Sequence, residues 1–255
     1  MSDNGSHATR AGEFFESIQV RSEDRERVLR ALDRVLHSMG FVPVDPDSLP
    51  PYADPLQEEV EVEARRFLVG PPLEGWVALF ASADLPEQLA TAQRLSEETD
   101  AITLVLNLHN GDVFYYWVFE HGRLVDQYDS HPDYFGDPRD AEELEAVRGH
   151  PARLAAILPP GVAPGDLAAI LTQTLTEHER RVPDPEELVL WGDEQFDEFT
   201  RLLRIRNAAH SYHDAKQEGL EGFVERPEEF VERAYAPPLR ADGGLGQLSA
   251  PPPTL

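Results

Sequence analysis

The segment Asp126-Gln127-Tyr128-Asp129-Ser130-His131-Pro132-Asp133-Tyr134-Phe135 places three carboxylates and an imidazole within eight residues. Oxygen and nitrogen donors of that kind hold a divalent ion when several deprotonated groups converge on one point. A metal-assisted hydrolase built on Asp129, His131 and Asp133 is therefore one reading. The spacing matches no metal signature, since an EF-hand loop needs Asp-x-Asp-x-Asp-Gly and a Glu at its twelfth position. The favoured reading is structural: Asp129 or Ser130 accepts nearby backbone amides and Pro132 sets the turn. A second cluster, His210-Ser211-Tyr212-His213-Asp214, would put His210 and His213 one helical turn apart, able to share a metal or to serve acid-base chemistry. Neither a third His nor a Glu base stands at helical spacing, so solvated or capping histidines are the favoured reading. The metal candidates are thus Asp129, His131, Asp133, His210 and His213, no cofactor is expected, and no catalytic residue is assigned.

Other chemistries are removed by composition. The chain has no cysteine, which excludes thiol catalysis, disulfides and Cys-based zinc sites. Gly-x-Ser-x-Gly is missing, and so is either standard glycine spacing of a phosphate loop. With 48 Asp and Glu against 22 Lys and Arg, the net charge is −26 over 255 residues. Nucleic-acid affinity is built from clustered Lys and Arg, so direct binding to DNA or RNA is not expected, nor is binding to anionic lipid. No run of about eighteen apolar residues marks a membrane span, and Met1 to Gln19 lack the basic start and apolar centre of a signal peptide. The expected location is the cytoplasm.

The aromatic run Val113-Phe114-Tyr115-Tyr116-Trp117-Val118-Phe119 is apolar on both faces of a strand, as is Trp76-Val77-Ala78-Leu79-Phe80. That pattern predicts a central sheet covered on both sides, with these rings in the core. Tyr115 and Trp117 are the anchors offered if one face is only partly covered. Together with Tyr128, Asp129, His131, Asp133 and Tyr134 they form the expected binding set.

A strand-turn-strand leading into Tyr128-x-Ser130-x-Pro132-Asp133-Tyr134-Phe135 resembles a group of uncharacterised bacterial proteins. The likeness covers about residues 75 to 135, with a weaker echo around 194 to 212. It implies no activity; it implies that the motif residues belong to one shaped loop, with Gln127 and His131 at positions the group does not fix.

The elements that must position these residues follow from periodicity. Residues 1–20 read as a loosely held leader, small and polar apart from Phe14, Phe15 and Ile18. A helix starts near Ser22, with Val28, Leu29, Leu32, Val35 and Leu36 on one face, and stops at Gly40. Five prolines then punctuate residues 42–55. A strand ending at Gly70-Pro71-Pro72 and another over 76–81 precede a helix opened by Asp84 and Glu87. Strands over 101–108, 112–119 and 123–128 are joined by the Asn110-Gly111 and His121-Gly122 turns. After Phe135 helices are expected over 140–148, 152–158, 165–175 and 193–203, a shorter helical or irregular stretch over 208–216, and a final turn or two in 227–235. Residues 236–255, with Gly243-Gly244-Leu245-Gly246 and Pro251-Pro252-Pro253, read as a disordered tail. The fold class is α+β: a central mixed sheet of strand, helix and three-strand meander, an N-terminal helix and a helical C-terminal part. Residues 21–135 form the core domain and 136–235 a helical region packed on it or a small second lobe.

Charge lies at the periphery. Seven acids and no base stand between Asp45 and Glu63, nine acids and two bases between Glu177 and Glu198, and seven and two between Asp214 and Glu232. Such a field keeps a protein dispersed or steers a basic partner onto it. The expectation is a non-enzymatic acidic binding or inhibitor protein that meets a basic protein, in the manner of an immunity protein or nucleic-acid mimic. The metal-assisted hydrolase and a scaffold component whose meander edge pairs with another chain are the alternatives.

Overall fold

The computed structural model describes residues 14–49, 64–136, 139–176, 191–217 and 219–238. The fold is α+β, and the described residues place eight strands in one antiparallel sheet of order β2-β8-β3-β4-β1-β5-β6-β7. In chain order these are β1 (Phe15–Arg21), β2 (Val42–Val44), β3 (Arg65–Leu73), β4 (Trp76–Ala81), β5 (Thr103–His109), β6 (Val113–Glu120), β7 (Arg123–Asp129) and β8 (Val231–Ala236). Among the described residues the helices are α1 (Arg25–Ser38), α2 (Leu85–Thr99), α3 (Ala141–Ala146), α4 (Pro164–Ala168), α5 (Gly192–Leu203) and α6 (Tyr212–Gln217), with 3-10 turns at Pro46–Ser48, Pro151–Ile157 and Pro227–Glu229. Among the described residues no helix is long and apolar enough to cross a membrane.

The expected leader is corrected first. Its last residues form β1, which sits between β4 and β5 and buries Ser17, Ile18, Gln19 and Val20. The alternation Ile18, Val20 against Ser17, Gln19 carries the strand pattern, and the polar pair is satisfied inside: Gln19 Nε2 donates to Asn207 O at 2.8 Å and to Ser17 Oγ at 3.0 Å. The expected mixed sheet is likewise corrected to an antiparallel one. Helix α2 links β4 to β5, but β1 stands between those strands, so they are not parallel neighbours.

Several boundaries move for local reasons. Helix α1 is capped by Asp24, whose side chain accepts from Arg27 N, rather than by Ser22, whose Oγ accepts from Asp24 N two residues later. Strand β3 runs through Gly70-Pro71-Pro72 to Leu73, with its register against β4 shifting between Val69 and Pro72. Pairing with β8 stops at Val69, so the prolines lie where no ladder amide is needed on that side. The final turn expected in 227–235 is a 3-10 turn followed by β8, which pairs with both β2 and β3. Residues 152–158 are 3-10 rather than α, and only Pro164–Ala168 of the 165–175 stretch is helical. The tail expectation lies outside the described residues from 239 onward.

The chain groups into two compact units, interleaved in sequence rather than divided at residue 135. One comprises Met1–Phe15, Asn107–Tyr116 and Gln127–Leu203; the other comprises Glu16–Leu106, Trp117–Asp126 and Arg204–Leu255. In the second unit, Val28, Leu32, Val35 and Leu36 of α1 and Leu89, Ala92 and Leu95 of α2 pack on Ile18, Val20, Val69, Val77 and Leu79. The opposite face, Leu68 and Phe80, packs on Tyr212 and Ala215, and Phe80 stacks on Phe230 at 5.7 Å. Strand β4 is buried at every position because both faces are covered. In the first unit Phe114 and Tyr116 of β6 meet Phe199 of α5 at 5.3 and 4.9 Å. Helix α5 begins hard against the β5-β6 turn: Asp193 N donates to Gly111 O, and a Cβ on Gly192 would lie 2.4 Å from Asp112 O. Asn110 and Gly111 both adopt positive φ, 55° and 76°, as a type I′ turn requires.

Candidate functional site

From Gln127 onward the carboxylate-rich segment belongs to the first unit, whereas Asp126, buried within Arg123–Asp129, falls in the second. The loop begins where β7 ends, and Ser130 extends the pairing with β6 by one residue. Its N–H donates to Phe114 O at 3.0 Å, and its Oγ accepts from Phe114 N at 2.8 Å, taking the place of a ladder carbonyl. Residues 172–176 form a strap along this loop. Tyr128 Oη lies 2.8 Å from Thr172 O and 2.7 Å from Gln195 Oε1, Thr174 N donates to Ser130 O at 2.7 Å, and Thr176 N donates to both Asp133 oxygens at 3.0 and 3.1 Å. Gln173 Nε2 donates to Asp129 O and Val147 O. The Tyr-x-Ser-x-x-Asp spacing thus has a mechanical reason: each of the three residues holds a different point of the strap.

The acids of the loop are engaged in the same way. Asp129 is 3% exposed; one oxygen accepts from His131 N at 2.9 Å and the other lies 3.3 Å from Arg139 Nη2. Burial pushes its carboxyl up, opposed by the His131 N–H and the Arg139 charge. His131 is buried, with Nε2 3.5 Å from both Asp133 Oδ1 and Thr176 Oγ1. Burial and the Asp129 charge raise the Tyr128 phenol, with the Gln195 hydrogen bond opposing. Half-buried Tyr115 is raised by the same two causes in the same order, with Arg139 opposing.

The expected binding set therefore separates. Tyr128, Asp129 and His131 are buried, and their hydrogen bonds hold the loop. Asp133 holds the strap, and Tyr134 donates through its hydroxyl to Asp112 Oδ2 at 2.9 Å. Trp117 lies in the second unit and packs, partly buried, on the α1 and α2 core, whereas Tyr115 belongs to the first. The metal reading has no geometry behind it: among the described residues no group of three or more His, Asp or Glu side chains is placed to hold an ion. His210 precedes α6 rather than lying within it, so His210 and His213 do not share a helical face. The ring of His210 is buried between Phe223, stacked at 5.1 Å, and the edge of Phe80, and its Nε2 lies 3.2 Å from Gly219 O. A second titratable cluster in that unit is also committed: Glu232 lies within hydrogen-bond reach of Tyr212, Lys216 and Arg66. Burial raises its carboxyl, and the Lys216 and Tyr212 hydrogen bonds and the Lys216 charge bring it below the usual value.

Two exposed aromatic side chains of this unit, Phe135 and Phe14, lie outside the expected set. Phe135 is 69% exposed and Phe14 is 51% exposed, and both rings stand edge-on to His109, at 5.2 and 5.0 Å. Tyr134 completes the group, 6.0 Å from His109 and 5.1 Å from Phe135. Burial lowers the His109 imidazole pKa, with the Asp112 carboxylate opposing, so the ring is neutral at pH 7. The sequence signal for this group was slight: Phe14 as an apolar exception in a polar leader, and Phe135 at the end of the loop motif. His109 carried none, because its neighbours come from three separate segments. The strap residues Thr172, Gln173 and Thr176, the Thr172 partner Gln195 and the Asp129 partner Arg139 were equally silent. The chain matches no family model, no curated protein and no solved structure.

Proposed function

We propose that this is a non-enzymatic acidic protein of the cytoplasm that binds or inhibits a basic protein partner by surface contact, in the manner of an immunity protein or nucleic-acid mimic. The observation that carries it is the pair of exposed rings Phe14 and Phe135 set against the partly buried His109, in a unit whose residues 127–203 hold seventeen Asp and Glu against six Arg. Large exposed aromatic side chains that touch one another are the kind of anchor a partner buries, and a surrounding acidic field selects its charge. Asp129 and Asp133 accept from backbone amides and Asp129 pairs with Arg139, which favours contact over chemistry. The test is recovery of a partner from host lysate at about 50 and 300 mM salt, with the wild type and a Phe14→Ala/Phe135→Ala variant compared. The reading expects a basic protein that is held at low salt, released at high salt and lost in the variant. A captured protein that is neutral or acidic, or that the variant retains, refutes it.

A further inference from the structure

We infer that the notch formed by Phe14, His109 and Phe135 is an arginine-reading site, taking the guanidinium of a partner side chain against the aromatic rings beside Asp112. The inference rests on the docking reading above and adds which chemical group the surface recognises. Three features of the notch favour a guanidinium. It offers exposed π surface from two rings that both stand in contact with His109, the last residue of β5: Phe14 immediately before β1 and Phe135 at the end of the loop. A planar, weakly hydrated cation stacks on such surface, whereas a compact ammonium keeps its water. The acid next to it is fixed in place: Asp112 Oδ2 accepts from Tyr134 Oη and from Asn110 Nδ2, both at 2.9 Å. Pre-orientation of that carboxylate lowers the ordering cost that a surface contact otherwise carries.

The third feature is the charge state of His109. Its surroundings are the uncharged rings of Phe14 and Phe135, the Tyr134 phenol from the loop and the Asp112 carboxylate from the turn. Kept neutral by burial, it adds π surface at pH 7; protonated at lower pH, it repels the incoming cation. Guanidinium binding at the notch therefore weakens as pH falls through the His109 pKa, below the ordinary value of 6.5.

The experiment titrates the full chain with two capped peptides, acetyl-Gly-Arg-Arg-Gly-amide and its dilysine counterpart, following the His109 ring and Phe135 amide signals by NMR. The arginine peptide is expected to bind about two- to five-fold tighter than the lysine one, and Phe135→Ala or Phe14→Ala to remove a similar factor. His109→Gln is expected to flatten the fall in arginine-peptide affinity as the pH is lowered below 6.5. Equal affinity for the two peptides, or wild-type affinity in both Phe variants, overturns the arginine assignment while leaving an acidic docking surface standing. Absence of saturable binding by either peptide also overturns it, and the lysate comparison then decides separately whether the docking reading survives. Both Phe side chains are at least half exposed, so their loss leaves the fold intact as a control by circular dichroism.

Discussion

The strap is the feature whose disruption has the most legible consequence. Thr176 N is partly buried and has the Asp133 carboxylate as its acceptor, at 3.0 and 3.1 Å, and the same carboxylate lies 3.5 Å from His131 Nε2. Asp133→Ala removes the acceptor and leaves the amide and the imidazole facing a void; Asp133→Asn keeps one oxygen and loses the charge. A hydrogen bond to a charged group contributes about 1.5–3 kcal/mol, and because the Asp133 side chain is 21% exposed the low end, about 1.5 kcal/mol, is the figure to use. That corresponds to about tenfold faster hydrogen exchange at Thr176 N if the strap opens locally. The Thr174 amide, bound to Ser130 O at 2.7 Å, should follow with a smaller change. The assay is residue-resolved amide exchange at neutral pH beside a urea midpoint, with wild type, Asn and Ala variants in parallel. Unchanged protection of Thr176 in Asp133→Ala, or an Asn variant as exposed as the Ala variant, refutes the idea that this carboxylate secures the strap.

Three further outcomes are expected. Ser130→Ala strips the acceptor from the Phe114 amide at a position 3% exposed and should cost about 1–2 kcal/mol in urea denaturation, while Ser130→Thr should retain most of it. Gly192→Ala would press a Cβ to 2.4 Å from Asp112 O and 2.7 Å from Val113 N, both backbone atoms, so α5 or the turn must move and about 3 kcal/mol or more should be lost by the same measure. The Glu232 carboxyl is held below its ordinary value of 4.5, so its contribution to stability is present above that pH and is lost as pH falls through the depressed value. A Glu232→Gln variant should show a shallower acid limb in thermal melts between pH 5 and 3, and a limb identical to wild type would count against the ion-pair network.

Much of the local architecture was readable because it depends on near neighbours. The apolar face of α1 is set by spacing, the Asn110-Gly111 turn by tolerance of positive φ, and the start of α2 by Asp84 accepting from Glu87 N. Strand β1 was misread because Ser17 and Gln19 look like solvent-facing residues. They are polar residues satisfied in the interior, by each other and by the carbonyls of Asn207 and Ala208, nearly two hundred residues away in sequence. The Asp-rich loop was legible as a loop but not as a clamp. Its acceptors could be counted, whereas the amides they serve lie up to 44 residues downstream.

From the sequence alone came the exclusions and the charge: no thiol chemistry, no phosphate loop, and a −26 field that argues against nucleic acid, since each follows from which residues are present. Only the tertiary structure decided what those residues do. Side chains with the same chemistry in one line of sequence are sorted by burial and by distant backbone, so Asp129 and Asp133 became structural ties while Phe14 and Phe135 became the surface. Hydrogen-bond partners and exposure are set by the packing of whole elements, and no local pattern of residues carries that information.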